Sequence, residues 1–281
     1  ALGLSWGPYH ENSLADEAEL VEAATAAAEL SKPFVVHRRC EGNDGLTATQ
    51  EAFRIAERTG VALHISHLKI AGRHNWKEFD QLMALMARGQ ARFDLGFDVY
   101  PYEGSLTYLS AMVPNSFKAD GHLLRRLADS TQREHIKTAI RQWFINRQGP
   151  DDILIFARHL PSLAHKRARS LSECARILGV PCESEAAAQI IESDPRGTGS
   201  WAAYRSMMNG DQVTELCSRS DAIIASDSVP EVDGMAETTH PRAYGTFARV
   251  LGRAARTSLA ELARIVPKMT SLAADRYRLG D

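Results

Sequence analysis

Over its first hundred residues the chain alternates short apolar runs with longer stretches whose apolar residues recur every three or four positions. LGLSWG (2–7) precedes ADEAELVEAATAAAEL (15–30), where alanines, leucines and early acids favour helix after Ser13 as a cap. PFVVHRR (33–39) is rich in β-branched residues and precedes TATQEAFRIAERTG (47–60), with Gly60 placed as a helix stop. VALHISHLK (61–69) opens a third unit, closed by WKEFDQLMALMARG (76–89), and RFDLGFDVYPY (92–102) opens a fourth. Strand starts recur at roughly 30-residue intervals, the length of a β/α unit. The pattern therefore predicts an α/β fold with a parallel sheet covered by helices.

From 103 to 220 the rhythm breaks. HLLRRLADS, REHIKTAIRQWFINRQ, SLSECARILG, ESEAAAQIIES and DQVTELCSRS read as helices, and DILIFA (152–157) as a lone short strand, so the segment is expected to be a helical insertion. DAIIASDS (221–228) restores the rhythm as a fifth core strand, followed by helices around TFARVLGRAAR and SLAELARIVPKMTS. A doubly wound sheet and part of an eight-stranded (β/α) barrel both fit. The absence of a Gly-x-Gly-x-x-Gly phosphate loop disfavours the first. His37, His67, Asp98 and Asp227 fall at strand C-terminal ends, where barrels keep their active sites, and this favours the second.

Composition narrows the partners. A formal net charge of -2 without a block of like charge argues against a nucleic-acid surface or a membrane patch. No apolar run approaches the roughly 20 residues of a membrane helix. The opening ALGLSWGPYHENS does not read as a signal peptide, but as a strand from the interior of a longer chain. Cys40, Cys174, Cys182 and Cys217 form no Cys-x-x-Cys motif, and reduced thiols in a cytoplasm are expected.

If the third strand runs through LHISHLK, alternation points Ile65, His67 and Lys69 one way and His64, Ser66 and Leu68 the other. His67 is then the candidate metal ligand, and His64 packs under a helix. His37 ends the preceding strand one repeat earlier. Adjacent parallel strands lie about 4.8 Å apart, so two imidazoles at one level can share a metal ion. Asp227, ending the last strand, is placed either as a further ligand or as a base for water.

HRRCEGND (37–44), HISHLKIAGRHNW (64–76), DVYPYEGS (98–105), IIASDS (223–228), HPRAYGTFARVLGR (240–253) and KMTSLAADRYRLG (268–280) resemble, in order, motifs of the D-aminoacylase family. These are N-acyl-D-amino-acid deacylases of the amidohydrolase superfamily. The resemblance implies an amidohydrolase-type (β/α)8 TIM barrel that lacks its first strands, with residues 1–281 as one partial barrel domain and 103–220 inserted before the last strand. It implies Zn2+ held by His37 and His67, with Asp227 as catalytic acid/base. It also implies Lys69, Tyr100, Arg242 and Tyr9 around a small N-acyl amino acid, with Arg242 or Lys69 meeting its carboxylate. A guanidinium fork suits a carboxylate and a tyrosine hydroxyl suits a scissile carbonyl. Arg39 and Glu41 are either partners of the ligands or a plain ion pair.

Two features of the family have no counterpart in this sequence: a His-x-His pair on the first barrel strand and a later zinc-binding cysteine. Cys40 is not promoted to that role. The missing part of the barrel is expected from the same or another polypeptide. Alongside the deacylase reading stand an amidohydrolase of cyclic amides or dipeptide-like substrates and a non-catalytic truncated barrel subunit.

Overall fold

The structure, a computed structural model, describes residues 1–8, 10–118, 121–157, 159–163, 168–194, 200–228 and 240–280. β1 (Leu4–Trp6) leads to α1 (Glu17–Glu29), which starts where the Asp16 carboxylate accepts the Glu19 amide at 2.9 Å. β2 (Phe34–Val36) leads to α2 (Gly45–Thr59), which ends at Gly60 in the left-handed conformation. β3 (Leu63–Ile65) leads to α3 (Phe79–Gln90), and β4 (Leu95–Val99) follows.

The intervening segment holds β5 (Ser105–Tyr108), α4 (Leu123–Ala128), α5 (Ser130–Asn146), β6 (Ile153–Ala157) and β7 (Arg169–Ser170). It continues with α6 (Leu171–Leu178), α7 (Glu183–Glu192), β8 (Ser200–Tyr204) and α8 (Gly210–Ser218). β9 (Ala222–Ile224), α9 (Arg242–Thr257), α10 (Leu259–Ile265) and α11 (Ser271–Tyr277) complete the described elements.

The five expected core strands form one parallel sheet in the order β1-β2-β3-β4-β9. The sheet is buried on both faces, as parallel sheets require: Phe34, Leu63, Ile65, Phe97 and Ala222 share one face and are fully buried, and His64, Asp98 and Ile223 are buried on the other. Leu20 and Ala24 of α1, Ile55 of α2 and Leu82 and Met86 of α3 join the same apolar cluster. β1 and β9 are the two edges, and Leu4 on β1 is exposed.

The strands are shorter than the sequence pattern suggests. β3 stops at Ile65, and His67 lies beyond it in a turn with φ +39°. Pleat alternation therefore does not reach His67, although His64 and His67 do diverge.

The insertion is not purely helical. Its expected helices are present as α4 to α8, but β5, β8, β6 and β7 also build a four-stranded antiparallel sheet in that order. The pattern showed only β6, because SLTY and SWAAY are short and pair with one another across nearly a hundred residues rather than with a neighbour in sequence. This sheet has its own core, in which Ile136, Ile140, Ile153, Ile190 and Ala202 are fully buried. α8 packs against β4 and β9, so it covers the parallel sheet on the way into the last strand.

Candidate functional site

The C-terminal ends of the parallel strands gather the titratable side chains. His37 directly follows β2, and its amide donates to the Trp6 carbonyl at 2.9 Å, extending the ladder by one residue. Nδ1 of His37 lies 2.5 Å from Nε2 of His67. The two rings come from consecutive β/α units, their centroids 4.6 Å apart.

Behind them, Glu41 Oε1 and Lys69 Nζ each lie 2.7 Å from His67 Nδ1 and 2.7 Å from one another. A hydrogen on Nδ1 donated to Glu41 satisfies this triangle and leaves the Nε2 lone pair directed at His37. The carboxylate behind a ligating imidazole does this in many metal sites. Arg39 instead pairs with Glu51 at 2.9 Å, so Glu41 is the partner of the histidines and Arg39 is not.

Electrostatics follow from depth. Burial, reinforced by the neighbouring His67, pushes the His37 ring down to about 4, so it is neutral at neutral pH. Burial works to raise the Glu41 carboxyl, but the charges of Lys69 and His67, with the His67 hydrogen bond, hold it well below the usual glutamate range. Burial lowers the Lys69 ammonium despite Glu41 beside it.

Asp227, three residues past β9, points its Oδ2 at Nη1 of Arg242, 2.7 Å away. Its backbone is left-handed, φ +47°, as is that of His67. A non-glycine residue in that region carries roughly 1–3 kcal/mol of strain and is held by its surroundings. Two such residues at the ends of two strands of one sheet mark this rim as its specialised end. Arg242 is the first residue of α9, with Pro241 as the cap. Its Nη2 donates to the Leu106 carbonyl at 3.3 Å and its Nε is buried without a partner. The fork is thus engaged within the chain.

His37, His67, Lys69, Tyr100, Asp227 and Arg242 all line one cavity of about 350 Å³. Every described residue of the expected site is thereby brought together. Tyr9 lies outside the described residues. The Tyr100 ring lies 4.7 Å from the Arg242 guanidinium, and its buried hydroxyl has no hydrogen-bond partner. Burial pushes that hydroxyl's pKa up, so it remains a donor.

The role of Asp98 was not foreseen in the sequence, which placed it only at a strand end. Asp98 does not face the cavity as a ligand would; its Oδ1 accepts the His67 amide at 2.8 Å and its Oδ2 meets His64 Nε2 at 2.9 Å. His64 is fully buried beside Tyr277 of α11, as expected for a histidine under a helix. The only sequence signal for this pairing was the placement of both residues on adjacent strands.

The donor set suits a transition metal in part. Two converging imidazole nitrogens, one oriented by a buried carboxylate, are the ligands zinc favours. Among the described residues no group of three or more His, Cys, Asp or Glu side chains is arranged to hold a metal ion. The described residues therefore offer two ligands of a shell that usually has four.

No protein-family model matches the chain. Among curated proteins, the D-aminoacylase of Alcaligenes xylosoxydans xylosoxydans is 29% identical over 281 residues, covering 99% of this chain and 48% of its own length. The N-acyl-D-glutamate deacylase of the same organism is 30% identical over 286 residues, covering 100% of this chain and 48% of its own. The chain is related to the D-aminoacylases. A solved D-aminoacylase with a binuclear metal center superposes with a TM-score of 0.73 at 26% identity, over 100% of this chain and 49% of that one. The zinc- and phosphonate-bound N-acyl-D-glutamate deacylase of Bordetella bronchiseptica, 24% identical over 97% of this chain and 48% of that one, shares the fold with a TM-score of 0.70. The chain thus spans about half the length of the D-aminoacylase relatives it matches, and its fold, with the open five-stranded sheet, is similar to that half of the solved D-aminoacylase.

Proposed function

We propose that this chain carries the catalytic rim of a zinc-dependent amidohydrolase that cleaves the amide of N-acyl-D-amino acids, releasing a carboxylate and a free D-amino acid. The observation that carries the reading is the 2.5 Å approach of His37 Nδ1 to His67 Nε2, inside the cavity that also holds Asp227 and Arg242. The printed activities of the curated relatives supply the substrate class.

His37 and His67 would hold the zinc, and Glu41 keeps the His67 ring turned toward it through Nδ1. Bound there, zinc polarises the scissile carbonyl and makes water more acidic. Asp227 takes a proton from the attacking water on its carboxylate and returns it to the leaving amine nitrogen. Tyr100 offers its unpartnered hydroxyl to the carbonyl oxygen. Lys69 and Arg242 supply positive charge for the substrate carboxylate; because Asp227 and Leu106 occupy the Arg242 fork, its grip requires an exchange of partners.

Residues 1–281 read as one partial barrel domain with 103–220 inserted. The remaining strands and ligands come from polypeptide beyond these residues, on the same or another chain, docking at the β1 and β9 edges. No helix of the described residues is long and apolar enough to cross a membrane. All four cysteines are free thiols, which supports a reducing cytoplasm.

Metal analysis of the purified protein, beside hydrolysis of a panel of N-acetyl-D- and L-amino acids, tests the reading. Zinc bound in proportion to protein, with release of D-amino acids, is the expected result. A zinc-free protein that turns over none of the panel in added zinc would favour a non-catalytic barrel subunit.

A further inference from the structure

β1 is an edge of the parallel sheet, so among the described residues the loop from Trp6 to α1 has a β/α unit beside it on one side alone. That loop reaches the cavity. Pro8 lines it, and the 3-10 turn His10–Leu14 packs against a second such turn, Asn115–Phe117, in the insertion. Holding an irregular loop in one path costs conformational entropy, which specific contacts must offset.

Arg39, just beyond β2, supplies those contacts. Its Nη1 donates to the Ser13 carbonyl at 3.1 Å and its Nη2 to the Ala15 carbonyl at 2.8 Å. Nε and Nη2 also donate to Glu51 of α2, at 3.1 and 2.9 Å, which fixes the plane of the guanidinium. The same group lies 4.9 Å over the Trp6 ring, whose Nε1 donates to the Asn12 carbonyl at 3.1 Å. Ser13 and Ala15 are both buried. One planar fork thus serves two loop carbonyls and a carboxylate together, an arrangement that a single ammonium nitrogen cannot reproduce.

We propose that Arg39 is a positioning residue for substrate binding: it clamps the β1–α1 loop to the second β/α unit and so holds Pro8 in the cavity wall. The pair with Glu51 is the anchor of this clamp. Arg39 acts on the substrate through the shape of the wall, whereas the histidines and Asp227 serve the reacting atoms. Its loss should therefore weaken substrate binding and leave the chemical step nearly unaffected. That the wall meets an N-acyl amino acid rests on the deacylase reading; that Arg39 holds the loop does not.

Amide hydrogen exchange of the substrate-free protein, followed by mass spectrometry, reads the clamp directly. In Arg39→Met the segment 10–16 is expected to exchange about tenfold or more faster, while α3 exchanges as before and shows that the fold is intact. Arg39→Lys should fall between the two, and it carries the comparison if Arg39→Met does not fold. With zinc supplied and an N-acetyl-D-amino acid as substrate, KM in Arg39→Met should rise by about tenfold while kcat stays within about threefold. Unchanged exchange of 10–16 in both folded variants overturns the clamp. Faster exchange with an unchanged KM overturns the role in substrate binding. Absence of turnover by the unmutated protein overturns the deacylase reading together with that role, and the exchange comparison still decides the clamp.

Discussion

The backbone amide of His67 donates to Asp98 Oδ1 at 2.8 Å, across the β3–β4 boundary. His64 Nε2 meets the other oxygen of the same carboxylate at 2.9 Å, and all three residues are buried. Asp98 thereby clamps the left-handed turn that aims His67 at His37. Asp98→Asn keeps the shape but loses the charged acceptor, and its amide can satisfy only one of these two donors as an acceptor. The expected cost is about 1–3 kcal/mol in urea unfolding, together with weaker zinc retention. An unchanged midpoint and unchanged zinc affinity would show that the turn holds itself.

The two histidines of this segment should separate by phenotype. His67→Ala removes a nitrogen that faces His37 and should abolish zinc retention. His64→Ala empties a fully buried position beside Tyr277 and leaves Asp98 half-paired, costing about 2–4 kcal/mol. Zinc content of the folded variants, with thermal melts, distinguishes them; an empty site in folded His64→Ala beside an occupied one in His67→Ala would reverse the assignment.

Asp227→Asn tests a proton carrier against a ligand. The amide preserves the size of the side chain that meets Arg242 but cannot take the proton, so turnover should fall by about two to four orders of magnitude. Zinc bound per chain should stay within a few-fold of the unmutated protein. Loss of zinc in the same proportion as activity would make Asp227 an obligatory ligand.

Between α5 and α7, Arg133 donates to Glu185 at 2.5 and 3.0 Å, and Lys137 pairs with the other Glu185 oxygen at 2.9 Å. Hydrogen bonds from Arg133, working against burial, hold the Glu185 carboxyl below its ordinary value. Its folded pKa is depressed, so its stabilisation is fully present above the unfolded value, about 4.3. It is lost as pH falls through the lower folded value. Glu185→Gln should therefore cost about 1 kcal/mol at pH 7, with the difference in melting temperature shrinking below about pH 4. A gap of constant size from pH 7 to pH 3 would assign the effect to packing.

The sequence by itself determined the β/α rhythm, the five core strands and the pairing of His37 with His67. Helical and strand periodicity are local properties, and a residue's place at the end of a repeat survives errors of two or three positions. Lys69, Tyr100, Asp227 and Arg242 were legible through the motifs they sit in, without any knowledge of what they touch. Tertiary structure alone decided the antiparallel sheet, since β5 pairs with β8 across nearly a hundred residues and neither strand advertises the other. It decided that Arg242 opens a helix with its fork already engaged, and that Asp98 grips a backbone amide while Glu41, rather than Arg39, serves the histidines. Partner choice among buried charges depends on distances of a few ångströms between residues remote in sequence, and those distances exist only once both sheets have packed.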